Sequence, residues 1–254
     1  MILCPKCSAA ITNHQLTFCP QCKTVFPQTK ICKQCKETIP FTFSYCPYCG
    51  NNCTNDAVRW VIPKKKEITA DNQRLFTDNR DKMTYKTVII GDQEWMAENV
   101  AFDMPNATAY YSSSEKAATY GLLYTWEDAQ KAVPEGFRLP NREDFRVLEQ
   151  FCQRSTGLPA GTVLKSCTDD WCKAGALGTQ IPGKDLFGFR ALPAGLQNSY
   201  NVFNYLGNYA YFWTIDEKDE TKAYFRHLCY FSEKFNESAT NKNCAFSVRG
   251  IRIK

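Results

Sequence analysis

Four Cys-x-x-Cys pairs fall within the first 49 residues: Cys4/Cys7, Cys19/Cys22, Cys32/Cys35 and Cys46/Cys49. They constrain the fold more than any other feature. Residues 1–53 hold too few large apolar side chains to enclose a core, and a segment that short needs a metal or disulfides as staples. Two residues between thiolates let both sulfurs of a turn reach one ion. Two such pairs complete the tetrahedral four-thiolate shell that Zn²⁺ prefers.

The pairs read as a repeat. Eleven residues separate the first pair from the second and ten separate the third from the fourth, room for a short hairpin in each half. Cys-Pro-Lys-Cys is followed by Phe18-Cys-Pro-Gln-Cys, and Cys-Lys-Gln-Cys by Tyr45-Cys-Pro-Tyr-Cys-Gly. This predicts two sequential, closed sites, one per half. The segment resembles the double zinc ribbon family over residues 1–53, which implies two structural zinc ions. A disulfide-stapled secreted module is the competing reading. No signal-type segment precedes Cys4 and the spacing is metal-like, so a cytoplasmic location is expected. Four tandem motifs without a βαβ pattern do not make a thioredoxin arrangement. Cys53 reads as a spare thiol.

The formal charge of +5 counts cysteine as neutral. Each four-thiolate zinc centre carries a net charge of about −2, so two of them leave the chain near +1. Nucleic-acid binding driven by phosphate neutralisation is therefore not indicated. The run Lys64, Lys65, Lys66 reads as part of a solvated tether. No apolar run of 18 residues occurs, so no membrane span or membrane partner is expected. His14 and His227 are the only histidines, which limits acid–base chemistry near neutral pH. His14 falls outside the cysteine spacing and reads as a surface residue.

Residues 54–77 read as a polar linker, with a short apolar stretch at Val58, Trp60, Val61 and Ile62 closed by Pro63. Residues 84–90 are rich in β-branched and aromatic types, and Gly91-Asp92 suits a type II′ hairpin before Gln93–Met96. A helix is expected over about 115–132. A second begins at Asn141, with Asn141 as its cap, Glu143 and Asp144 in its first turn, and Gly157 and Pro159 at its end. Cys244–Lys254 reads as a strand with a bulge at Gly250. Residues 78–254 then form one α+β domain, with two helices on antiparallel strands.

Seven segments carry a further resemblance: Asp78 through Val100, Tyr120-Gly-Leu-Leu-Tyr-Thr-Trp126, Pro134-Glu-Gly-Phe-Arg-Leu-Pro140, Gly161-Thr-Val-Leu-Lys165, Gly188-Phe-Arg-Ala-Leu-Pro-Ala-Gly195, Phe212-Trp-Thr214 and Ser247-Val-Arg249. In order and spacing they resemble the Fibrobacter succinogenes major paralogous domain. The resemblance implies a C-type-lectin-like fold related to formylglycine-generating enzyme. Trp95, Trp126, Phe137, Leu139, Leu192 and Trp213 read as core, and Gly188 and Gly195 as turn glycines. Such an enzyme needs a reactive cysteine pair late in the domain. Cys229 and Cys244 sit in no such motif, and Gly250 stands where many members of the paralogous family carry cysteine. Cys152, Cys167, Cys172, Cys229 and Cys244 read as reduced structural thiols. No catalytic residue is assigned.

Residues 198–212 contain ten Asn or aromatic residues in fifteen, in neither a helical nor a strand period. Tyr, Asn, Ser and Gly are the vocabulary of binding loops, since Tyr gives large contact area with little rotamer entropy and Asn and Ser adapt their hydrogen bonds. The candidate ligand-binding residues are Asn198, Ser199, Tyr200, Asn201, Phe203, Asn204, Tyr205, Asn208, Tyr209 and Tyr211, with Tyr224, Arg226 and Tyr230 in a weaker recurrence. Asn236, Ser238, Thr240, Asn241 and Asn243 continue it. The tract is similar to the variable region of diversity-generating retroelement proteins, which implies a diversified surface on a fixed frame. The expected function is non-enzymatic binding of a protein or other macromolecular ligand, with the zinc ribbons as an adaptor that itself takes a protein partner. A cysteine and metal oxidase, or a nucleic-acid-associated ribbon adaptor, are the alternatives. A lectin-like fold does not by itself imply sugar binding, and the calcium-binding carboxylate cluster of sugar-binding lectins is not evident.

Overall fold

The chain divides into two units, Met1–Lys64 and Lys65–Lys254. The computed structural model describes residues 73–175 and 178–253, and before them residues 2–3, 10–11, 29–31, 34, 38–40 and 51–52.

In the first unit, β1 (Ile2–Leu3) pairs antiparallel with β2 (Ala10–Ile11), and β3 (Thr29–Ile31) with β4 (Thr38–Pro40). Each hairpin brackets one cysteine pair in sequence. Cys4 follows Leu3 and Cys32 follows Ile31, and each return strand begins three residues after Cys7 or Cys35. The sequence repeat is thus repeated in the strand spacing. The eight paired cysteines, Cys53, His14 and the lysine run lie outside the described residues.

The second unit opens with β5 (Gln73–Thr77), β6 (Thr84–Ile90) and β7 (Gln93–Met96). The linker expectation fails at its end. Residues 73–77 pair with β6 from Gln73 opposite Val88 to Thr77 opposite Thr84, and the reversal at 78–83 is fixed by the Asp78 amide donating to the Met83 carbonyl at 2.8 Å. Asp78 is buried, and Arg80 grips its carboxylate. The β6–β7 loop is as expected: Gly91 has φ +64, and Asp92 is not among the residues of positive φ, which fits a II′ turn.

A 3-10 turn (Tyr110–Ser112) precedes α1 (Ser114–Tyr120) and α2 (Trp126–Ala132). The single helix expected over 115–132 is two. Gly121 has φ +73, and a Cβ there would lie 2.7 Å from the Val100 carbonyl oxygen, so the backbones meet where only glycine fits. Leu122 and Leu123 donate their amides to Val100 and Thr108 carbonyls, and Thr125 caps α2. After β8 (Phe137–Arg138), α3 (Arg142–Thr156) begins with a full capping box between Asn141 and Asp144 and ends at left-handed Gly157. Its buried face is Phe145, Leu148 and Cys152. Then come α4 (Ala160–Leu164), the hairpin β9 (Ala174–Gly175) and β10 (Gly178–Thr179), and the hairpin β11 (Leu196–Gln197) and β12 (Phe203–Asn204). The strands β13 (Tyr209–Glu217), β14 (Lys222–Cys229) and β15 (Asn236–Asn241) form a three-stranded antiparallel sheet. The last strand, β16 (Ile251–Arg252), joins the other sheet in the order β5-β6-β7-β16-β8.

The class is α+β with antiparallel sheets, as the sequence predicts. The closing segment is only partly a strand. Residues 244–250 run between the two sheets instead: Phe246 bridges Tyr124, Ser247 bridges Phe212 in parallel, and the Gly250 carbonyl accepts from the Met96 amide at 2.9 Å. Strand β13 is apolar on both faces. Ala210 and Phe212 enter one core with Trp95 and Phe145, while Tyr211 and Trp213 enter another with Trp126 and Phe246. All six side chains expected in the core are buried.

Candidate functional site

The loop between β11 and β12 is built by Asn198. Its amide donates to the Val202 carbonyl at 2.9 Å, and its Oδ1 accepts from the Tyr200 and Val202 amides at 3.0 Å each. Asn201 takes the left-handed conformation at φ 61, which Asn tolerates better than most residues, and Asn204 Nδ2 donates to the Val202 carbonyl at 3.1 Å. Asn198, Asn201 and Asn204 thus shape the backbone, and Ser199 and Tyr200 are carried at its tip. Tyr200 is 84% exposed and Val202 52%. Gly195, at φ +67, lets the hairpin return close by, since a Cβ there would lie 2.5 Å from the Asn204 carbonyl oxygen.

Beyond the hairpin, Tyr205 is held at φ 67 and is 50% exposed, its ring edge-on to half-buried Tyr209 at 5.3 Å. The Asn208 amide donates to the Tyr205 carbonyl and its own carbonyl accepts from the Tyr230 amide. Half-buried Phe203 sits between two rings, Tyr110 at 5.1 Å and Tyr111 at 5.3 Å. Tyr111 is absent from the sequence-derived set, yet it is 71% exposed and has φ 53. The signal for it was present: Tyr110-Tyr111-Ser112-Ser113-Ser114 carries the same Tyr/Ser vocabulary.

Three candidates are corrected. Tyr211, Tyr230 and Arg226 are buried. Tyr211 shares a β13 face with Trp213 and stacks on Phe246 at 5.0 Å. Tyr230 belongs to the core that holds Trp171 and Phe189, and its hydroxyl lies where a Cβ on Gly175 would fall. Arg226 pairs with Glu149 at 2.6 Å and donates to the Phe235 carbonyl at 2.7 Å. It lines a shallow groove of about 520 Å³ with Arg142, Arg146, Glu143, Asp216 and Glu237, whose charges largely pair with one another. Half-buried Tyr224 lies under the Arg142 guanidinium at 4.0 Å. Asn236, Ser238, Thr240 and Asn241 lie on β15, at the edge of its sheet, and Asn243 is exposed just beyond it.

Cys152, Cys167, Cys172, Cys229 and Cys244 are free thiols. Burial pushes the Cys152 thiol up to about 12 and raises that of Cys229, which disfavours the thiolate at neutral pH. Cys244 is also buried, beside Thr240. Cys167 is exposed, unlike the buried Cys152, Cys229 and Cys244. Among the described residues no group of three or more His, Cys, Asp or Glu could hold a metal ion, and no helix is long and apolar enough to cross a membrane.

The family model described as Fibrobacter succinogenes major domain matches residues 88–252, from within β6 to the end of β16. A second, Double zinc ribbon, matches residues 4–50, which contain all eight paired cysteines and thereby imply zinc binding there. The donor set fits: thiolates in Cys-x-x-Cys pairs are the ligands a structural zinc site uses. Neither a curated protein nor a solved structure matches the chain.

Proposed function

The chain belongs to the Fibrobacter succinogenes major domain family, and from that premise we propose that it is a non-enzymatic ligand-binding protein. The observation that carries this reading is the display of Tyr200, 84% exposed, at the tip of a loop held by the Asn198 hydrogen bonds, and of Tyr205, 50% exposed, just beyond the hairpin. Large rings fixed in water by a rigid backbone gain area on binding and lose little entropy. The scaffold is of the C-type-lectin-like kind. Residues 198–205 form its replaceable patch, in the manner of a diversity-generating retroelement variable protein, and the buried run Ala210–Trp213 of β13 belongs to the frame. The N-terminal segment holds two structural zinc ions, one on Cys4, Cys7, Cys19 and Cys22 and one on Cys32, Cys35, Cys46 and Cys49, and serves as the adaptor. Free thiols in a chain that also carries a zinc–thiolate segment suit a reducing compartment, the cytoplasm.

The test is capture of partners from extract by the tagged full-length chain and by its Tyr200→Ala/Tyr205→Ala variant. The reading expects the captured set to be lost with no change in melting temperature. Equal capture by both forms contradicts it.

A further inference from the structure

The Asn/Ser stretch at 236–241 forms β15, and that strand has one open side. The sheet order is β13-β14-β15. The far side of β13 is closed: the Gly195 amide donates to the Tyr209 carbonyl at 2.9 Å, and the Trp213 amide to the Ser247 carbonyl at 3.4 Å. The far side of β15 is not. The Lys242 amide donates to the Thr221 carbonyl at 2.9 Å, so Lys242 faces β14. By strand alternation Thr240, Ser238 and Asn236 do the same, opposite Ala223, Phe225 and His227. Glu237, Ala239 and Asn241 therefore turn their backbone N–H and C=O groups outward. Among the described residues a single one of these groups meets another segment, the Asn241 carbonyl, which accepts from the Cys244 amide at 3.0 Å.

The usual guards of a bare edge are missing here. Residues 236–241 hold no proline and no lysine, and the β14–β15 register runs without a bulge. The one charge, Glu237, is drawn back onto its own unit by Arg142 at 2.6 Å and Arg226 at 3.7 Å.

We infer that this edge takes a second copy of the chain, β15 against β15 about a two-fold axis. In an antiparallel ladder, outward-facing residues must oppose one another. All three find partners only with Ala239 at the axis. Ala239 then meets its own counterpart, and Glu237 meets Asn241 of the second copy in both directions. The same register sets Ser238 against Thr240 and Asn236 against Lys242. Ser–Thr pairs favour cross-strand contact, no like charges stand opposite, and the residue at the axis is small. A foreign extended peptide would instead draw its specificity from pockets that receive alternate side chains. The groove that Glu237 shares with Arg142 and Arg226 has its charges paired within the chain. Dimerisation joins the two three-stranded sheets into one and carries two copies of the 198–205 loop on one particle. The inference does not depend on what that loop binds.

The experiment is sedimentation equilibrium of the zinc-loaded full-length chain over a concentration series, with hydrogen exchange at the same concentrations. A single edge contact is small, so a dimer with a dissociation constant on the order of 10 μM is expected. Amides of 236–241 should gain protection as the mass doubles. Ala239→Pro removes an outward N–H and leaves the bonds to β14 in place. Ser238→Lys puts a guarding charge on an exposed position of the edge. Each should weaken self-association at least about tenfold, with exchange in the rest of the domain unchanged. The Ser238 variant keeps the test open where proline disturbs the strand. A chain that stays monomeric to roughly 200 μM overturns the inference. So does a dimer that both variants leave intact, or one that forms without protection of 236–241, since either places the contact elsewhere. Protection of 236–241 by a foreign protein, with the chain itself monomeric, overturns it as well.

Discussion

Arg249 donates from Nε to Asn99 Oδ1 at 2.7 Å with no solvent exposure of its own. Its remaining nitrogens reach the carbonyls of Met96 at 3.1 Å, Arg190 at 2.9 Å and Phe189. One guanidinium therefore ties the closing segment to the end of β7 and to the loop at 189–190. Arg249→Met keeps the apolar stem and leaves three buried oxygens and the part-buried Arg190 carbonyl without that donor. We expect a loss of roughly 3 kcal/mol or more, read from urea unfolding with an unchanged slope. A loss under about 1 kcal/mol would show that water satisfies those oxygens.

Tyr211 and Tyr200 look alike in the sequence and differ in the fold. Tyr211→Ala opens a cavity among Trp213, Phe225 and Phe246 and should cost about 3–5 kcal/mol. Tyr200→Ala should change stability by less than about 0.5 kcal/mol. Similar losses at both positions, measured by denaturant titration, would contradict the division between frame and patch.

His227 lies among the rings of Tyr209, Tyr211 and Phe225, with Asn236 opposite on β15, and its Nδ1 is buried without a partner. Burial first, and the Arg226 charge second, hold its pKa below the usual histidine value. The protonated form is thus penalised only in the folded state. Stability is complete above the ordinary histidine range and falls as pH drops through it toward the depressed folded value. His227→Phe should remove this component. Urea midpoints from about pH 8 down to 5 should show the wild type losing more stability than the variant. Parallel curves would refute the assignment.

Metal analysis should find two zinc ions per chain, since eight paired thiolates make two four-sulfur shells. Structural zinc contributes about 10–16 kcal/mol to the folding of modules this small. A strong chelator should therefore abolish protease resistance in residues 1–53 and spare the two cores, one holding Trp95 and Trp171 and the other Trp213. One ion per chain, or none, would remove the paired-site arrangement.

The sequence displays what is local. Asn141 and Asp144 lie three residues apart, so their capping box could be read directly, as could the Gly91-Asp92 turn between β-rich segments. It hides what depends on distant partners. Gly121 ends α1 at φ +73, and only the fold shows the Val100 carbonyl filling the space a Cβ there would need. Gln73–Thr77 is polar enough to pass for linker and becomes a strand by pairing with the edge of β6. Tyrosine suits either a core or a binding loop, so composition alone could not separate Tyr211, stacked on Phe246, from Tyr200 in solvent. The asparagines were legible as loop residues, but their backbone-shaping role required the hydrogen bonds of Asn198.

The most direct test of the binding face is hydroxyl-radical footprinting of the full-length chain, free and in its captured complex. In the free chain Tyr200 and Tyr205 should oxidise readily while Tyr211 and Tyr230 stay protected, and in the complex oxidation of Tyr200 and Tyr205 should fall several-fold. Undiminished oxidation of both tyrosines in the complex would contradict the account.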